Sequence, residues 1–205
     1  MHDEPLFRCE KCGKTITKEE VMTGCKACKK MKILAIDPGN IESGYAVIEM
    51  PDFKLLDFGK VKNEELLEML VTYSYDLWEK REGDEVRYFK FDAVAIEMVA
   101  SYGMAVGKSV FDTCVWIGRF IQALANDGVD YVYRKDEKMC LCGSMKAKDS
   151  NIRQALIDRY AKHDFKNGKG VKKNPDTFYG VSKDVWQAIA VGVTYYELQK
   201  EGAKK

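Results

Sequence analysis

Two acidic residues close apolar runs. Met31-Lys32-Ile33-Leu34-Ala35-Ile36 leads into Asp37, and Phe91-Asp92-Ala93-Val94-Ala95-Ile96 leads into Glu97. Each run reads as a buried strand that ends in a carboxylate. Burying an unpaired carboxylate costs several kcal/mol or more, so an acid at such a strand end is ordinarily there to meet a ligand or solvent. Asp184 follows Ser182 at the start of a helical pattern, where an acid also suits the helix dipole. Taken singly, Asp37 is a turn residue before Pro38 and Glu97 an edge ion-pair partner. Together the three suit another chemistry. Clustered carboxylates repel unless cations sit between them, and oxygen ligands favour Mg²⁺ or Mn²⁺. Two such ions about 3.5–4 Å apart activate a water and stabilise the leaving oxygen of a phosphodiester.

A second set of ligands lies at the N-terminal end. Cys9-x-x-Cys12 and Cys25-x-x-Cys28 form two knuckles, the spacing of a tetrahedral Cys₄ zinc site. A unit of roughly 30 residues has too little core to fold without metal, so structural zinc is expected over residues 1–30. Iron in a similar site and reduced thiols are the alternatives. Cys114, Cys140 and Cys142 bring the total to 7, an odd number that argues for a reducing compartment rather than a disulfide framework.

The elements that must position these groups follow from periodicity. Strands are expected at about 31–37, 44–48, 54–61, 91–97 and 129–133. Helices are expected at about 64–79, 105–126, 150–162 and 183–200. Residues 80–90 read as a charged loop and 166–180 as a basic, Gly-rich flexible loop. Three consecutive strands followed by alternating helices and strands give an α/β fold with a mixed sheet. With 205 residues, the chain divides as a small unit at 1–30 and one domain at 31–205. No apolar run approaches the roughly 18 residues of a membrane span, and the first residues lack the pattern of a secretory signal.

The net charge is +1, but it is uneven. Residues 31–133 carry 10 basic and 18 acidic side chains, and residues 134–205 carry 16 basic and 9 acidic. An acidic site beside a basic, phosphate-facing surface fits that asymmetry, and so does a simply solvated surface. Lys108, Arg119, Lys146, Lys148 and Arg153 are the candidate phosphate contacts. Tyr102, beside Glu97 in sequence, is a candidate for stacking on an unpaired base.

Four stretches across residues 32–199 resemble the RuvC-like Holliday-junction resolvases of the ribonuclease H-like superfamily. Ile36-Asp37-Pro38-Gly39 with Ser43-Gly44-Tyr45-Ala46-Val47-Ile48 is similar to that family's first hairpin and its leading Asp. Val94-Ala95-Ile96-Glu97 is similar to the strand bearing its Glu. Gly107-Lys108-Ser109 through Ile117-Gly118-Arg119 resembles its long central helix, and Gly143-Ser144-Met145-Lys146-Ala147-Lys148 its Gly-rich basic loop. Asp184-Val185-Trp186-Gln187-Ala188-Ile189-Ala190 resembles its closing helix. The small size together with the Cys-rich ribbon resembles phage-type relatives.

The resemblance implies a mixed five-stranded sheet flanked by helices, here with an added zinc knuckle. It implies Mg²⁺- or Mn²⁺-dependent endodeoxyribonuclease activity of the crossover-junction type, with two ions per site, in a homodimer formed through the central helix. Its DNA would be branched: four-way junctions, or forks and flaps. Asp37, Glu97 and Asp184 match the family's metal-binding acids. The family's second Asp on the last helix falls on Gln187, whose amide oxygen brings no charge; Asp176 in the preceding loop is a substitute candidate. A cytoplasmic setting, bacterial or in a phage-infected cell, goes with that reading. The competing reading is a branched-DNA-binding protein whose cleavage is weakened or lost because of Gln187. An actin-like phosphotransferase would need a second lobe, and a zinc-dependent interaction module would leave the three acids without a shared role.

Overall fold

A computed structural model describes residues 7–10, 13, 15–18, 21, 25, 28–75, 78–82, 85–101, 103, 106–124 and 128–202. Two short strands, β1 (Phe7–Arg8) and β2 (Thr15–Ile16), pair antiparallel. The principal sheet follows, with β3 (Met31–Asp37), β4 (Glu42–Met50) and β5 (Lys54–Lys62) running as an antiparallel meander. Helix α1 (Asn63–Tyr75) and the hairpin β6 (Trp78–Glu82) and β7 (Glu85–Phe89) precede β8 (Ala93–Met98). Helix α2 (Lys108–Ala123) leads to β9 (Asp130–Tyr133), and helices α3 (Arg134–Cys142) and α4 (Asp149–Tyr160) follow. A two-residue pairing of β10 (Gly170–Val171) with β11 (Asn174–Pro175) comes before the last helix, α5 (Lys183–Gly202). The sheet order is β5-β4-β3-β8-β9, with β8 and β9 parallel to β3. This is the mixed five-stranded sheet expected from the sequence.

The continuous apolar runs of β3 and β8 reflect burial on both faces. Along β3 the side chains alternate. Ile33 and Ala35 enter a core shared with α3, α4 and α5, whereas Leu34 and Ile36 enter a core shared with α1 and α2. The closest approach in the first core is made by α5. A Cβ on Gly192 would fall 3.0 Å from that of Ala35 and 2.8 Å from Ile48 Cδ1, so the absence of a side chain there lets the helix lie against the centre of the sheet.

Three sequence expectations change. The charged stretch expected as a loop is the β6–β7 hairpin, and buried Trp78 belongs to it rather than to the preceding helix. Trp78 donates from Nε1 to the buried Asp57 carboxylate at 2.9 Å, which anchors the hairpin beside β5. The stretch 166–180 is built around two carboxylates. Asp164 accepts from the amides of Asn167, Lys169 and Gly170, and Asp176 accepts from those of Lys162, His163, Asp164 and Thr177. Finally, residues 134–142, to which no element was given, form a helix. It starts where the Tyr133 amide meets Asp136 Oδ2 at 3.2 Å and stops at Gly143, whose φ of 65° is the left-handed conformation that glycine tolerates.

Candidate active site

The parallel pairing of β3 with β8 sets the geometry. Ile36 lies beside Ile96, so the next residues, Asp37 and Glu97, emerge together at the carboxyl ends of neighbouring strands. In open α/β sheets this end is where ligands collect. Both acids project to the face already occupied by Ala35, Ala95 and Val132, toward α3 and α5. The turn after Asp37 is fixed by a polar network. Ser43 Oγ donates to Asn63 Oδ1 at 2.7 Å, Asn63 Nδ2 donates to the Gly39 carbonyl at 2.9 Å, and the Gly39 amide donates to Ser43 Oγ at 3.2 Å. No side chain is possible at Gly39, because a Cβ would lie 2.2 Å from the Glu42 carbonyl oxygen. A cavity of about 330 Å³ opens at this point, lined by Asp37, Asn40 and Glu97 on the sheet side and by Ser109, Val110 and Thr113 of α2.

Asp184 reaches the same end of the sheet from the first turn of α5. Its backbone packs on Gly44, the residue paired with Asp37 across the hairpin: a Cβ at position 44 would meet the Asp184 carbonyl oxygen at 2.8 Å. The Asp184 carboxylate is half-exposed and paired with Lys60 at 3.0 Å, and Lys60 also bridges to Glu42 at 2.9 Å. Gln187 lies one turn further along α5, but its Oε1 is engaged by Arg134 Nη1 at 2.5 Å. Arg134 opens α3 and donates in addition to Glu137 from Nη1 and to Asp149 from Nη2. Asp176, the substitute candidate, is buried. Its carboxylate is committed to four backbone amides, and although burial opposes ionisation, those donors hold it well below the usual carboxylate range.

The electrostatics of the cluster follow from burial. Desolvation, then the neighbouring Glu97 charge and a hydrogen bond shared with Glu97, push the Asp37 carboxyl up to about 8. Arg134 opposes this rise and Asp184 adds to it. Half-buried carboxylates side by side offer hard oxygen donors, which is the donor set that Mg²⁺ and Mn²⁺ select. The residues present therefore fit a divalent cation. Asp37 and Glu97 supply half-buried donors from adjacent strand ends and Asp184 approaches from α5, although among the described residues no three carboxylate oxygens converge within 4.8 Å of one another.

The N-terminal cysteines converge as well. The sulfurs of Cys9, Cys25 and Cys28 lie within 4.8 Å of one another, and Cys9 Sγ is 3.7 Å from Cys28 Sγ. Tetrahedral zinc with Zn–S of about 2.3 Å places its sulfurs about 3.8 Å apart, so the spacing suits the metal. Cys12, the fourth residue of the motif, lies outside the described residues, as does Tyr102.

Of the expected DNA-contacting residues, Lys108 begins α2, whose first turns line the cavity. Lys146 and Lys148 are exposed on the loop between α3 and α4, beside the Asp149 that pairs with Arg134. Arg153 is held over the Trp186 ring at 5.1 Å, next to the start of α5. Arg119 stacks on Trp116 at 4.1 Å. It lies about 16 Å along α2 from Lys108 at 1.5 Å per residue, well beyond the cavity. The sequence reading missed Arg134 and Glu137. The signals that mark their helix are the acid at Asp136, three residues after the cap, and the stop at Gly143.

No family model matches the chain, and no curated protein matches it in sequence. Solved structures do. The fold is that of RuvC, a ribonuclease H-like architecture. RuvC from Thermus thermophilus, solved in complex with a Holliday junction substrate, superposes with a TM-score of 0.61 at 17% identity over 84% of this chain and 96% of that one. A second structure of Thermus thermophilus RuvC gives a TM-score of 0.55 at 17% identity over 84% and 97%.

The raised proton affinity of Asp37 carries a stability consequence. A carboxyl whose folded value lies above its unfolded value of 3.8 costs nothing at low pH and destabilises the fold as pH rises toward about 8. Thermal unfolding of the metal-free Asp37→Asn variant is expected to match wild type near pH 4 and to occur at a higher temperature at pH 8. Calorimetry at the two pH values checks this.

Proposed function

We propose that the chain is a structure-selective DNA endonuclease that hydrolyses phosphodiesters in branched DNA, four-way junctions above all, with the help of divalent cations. The observation that carries the reading is the pairing of Asp37 with Glu97 at adjacent strand ends, faced by Asp184 from α5. The likeness to a RuvC structure solved on a Holliday junction supports the choice of substrate.

Asp37, Glu97 and Asp184 would hold Mg²⁺ or Mn²⁺, as a pair of ions. When bound, these ions supply Lewis-acid stabilisation of charge at the scissile phosphate and lower the pKa of an attacking water. The protein's own work is positional. The Ser43–Asn63–Gly39 network holds the turn that aims Asp37, and the close contact at Gly44 sets the distance of α5 from it. Lys60 occupies Asp184 through a salt bridge that an incoming cation would displace. Lys108 beside the cavity, and Lys146 and Lys148 on the α3–α4 loop, would engage backbone phosphates, which gives affinity without sequence preference. Exposed Phe111 and Val115 on the outward face of α2 suit a second copy of the chain, so that two sites would cut opposite strands. Residues 1–30 would form a separate unit closed by structural zinc on Cys9, Cys12, Cys25 and Cys28, appended to the nuclease domain at 31–205.

One observation favours the competing reading of a branched-DNA-binding protein with weak cleavage. The Gln187 oxygen is directed to Arg134, so position 187 offers a metal neither charge nor an available oxygen in this arrangement.

Two outcomes follow. Wild-type protein is expected to make paired nicks in an immobile four-way junction with Mg²⁺ or Mn²⁺ and to leave linear duplex uncut. Asp37→Asn should cleave more than about 100-fold more slowly while retaining junction binding, because even outer-shell partners of a metal cost 10–100-fold. Gel assays of cutting and of binding separate the readings: junction binding with no cutting by wild type favours the second. Independently, wild-type protein should keep zinc through dialysis and Cys25→Ser should lose it, as read by elemental analysis.

A further inference from the structure

Glu137 is a carboxylate that the reading above leaves unused. It sits on the first turn of α3 with its side chain fully buried. Oε2 accepts from Arg134, but Oε1 accepts no hydrogen bond from any described residue. A buried carboxylate is tolerated when its oxygens are satisfied, and half of this one is not. Shape alone does not explain it, because the next turn of the same helix places Leu141 in the core, and an apolar side chain at 137 would fill space without the desolvation cost.

The surroundings point to a ligand. Helix α3 starts directly after β9, and Val132 of β9 is paired with Glu97, so the first turn of α3 lies over the carboxyl end of β8. Burial, then the nearby Glu97 charge, pushes the Glu137 carboxyl up; Arg134 opposes the rise and Asp37 adds to it. Arg134 Nη1 donates to Glu137 Oε2 and to Gln187 Oε1 at once, so the two side chains meet at a single guanidinium nitrogen. A carboxyl such as position 187 lacks is therefore present beside it, delivered from α3 instead of α5.

Resting on the metal-dependent reading above, we propose that Glu137 is an additional ligand of the divalent-cation site, with Arg134 positioning it. The site then has four acids, Asp37, Glu97, Asp184 and Glu137, and α3 supplies the carboxyl that position 187 lacks. Arg134 is the counter-ion that holds Glu137 and Gln187 in register until a cation reaches the orphan oxygen.

Mn²⁺ binding to the full-length chain without DNA tests this by titration calorimetry and by the rise in unfolding temperature that Mn²⁺ produces. Glu137→Gln, which preserves shape, is expected to weaken Mn²⁺ binding about 10-fold or more and to shrink that rise. Asp37→Asn should abolish both. Wild-type Mn²⁺ affinity in Glu137→Gln beside loss in Asp37→Asn would overturn the proposal and leave the nuclease reading standing. Failure of the wild-type chain to bind Mn²⁺ would overturn both. A readout independent of variants is the side-chain carboxyl ¹³C resonance of Glu137 in wild type. It should shift along the same Mg²⁺ titration curve as that of Asp37, and a Glu137 signal that stays fixed while Asp37 moves would contradict the proposal.

Discussion

The repulsion between half-buried carboxylates is the constraint around which this molecule is organised. Parallel pairing of two apolar strands leaves Asp37 and Glu97 side by side at the edge of a closed core, where water cannot fully screen them. Desolvation and the neighbouring Glu97 charge raise the Asp37 carboxyl, at a cost in stability that grows with pH. The surrounding structure tolerates that cost instead of removing it. An apolar pair at the same strand ends would avoid the penalty, and the acidic arrangement instead suits a positively charged ligand.

The neighbouring elements show the same tension. Lys60 neutralises Asp184, and Arg134 gathers Glu137, Gln187 and Asp149 around one guanidinium. These cations belong to the protein and arrive from β5 and α3, so the acidic end of the sheet is partly compensated before any ligand binds. Rigid devices set the spacing. The Ser43–Asn63–Gly39 network holds the turn after Asp37, the missing side chain at Gly44 admits α5, and Gly192 seats that helix on the sheet. Preorganisation of this kind suits charge stabilisation at a reacting phosphate better than a flexible loop would.

Much of this was legible in the sequence, for a physical reason. A strand buried on both faces writes an unbroken apolar run, and an acid that ends it stands out. Asp37 and Glu97 were therefore visible from their neighbours alone, and so was the five-stranded mixed sheet. The convergence of Cys9, Cys25 and Cys28 was visible from spacing. What escaped depends on partners distant in sequence. Arg134 and Glu137 lie in a short helix dominated by charged residues, where a fully buried glutamate looks like any solvated one until its contact with α5 is known. The β6–β7 hairpin read as a loop because its alternation is diluted by charge, and its anchor, Trp78 on Asp57, crosses between elements. Asp176 looked like a spare ligand because no sequence pattern shows that a carboxylate is already spent on backbone amides.

The central claim is that the carboxyl end of this sheet is a divalent-cation site and not merely a strained acidic corner. Anomalous diffraction from crystals soaked in Mn²⁺ tests it most directly. The account predicts a manganese peak bonded to both Asp37 and Glu97. Crystals that bind Mn²⁺ only at surface carboxylates, with Asp37 and Glu97 free of metal, would contradict it.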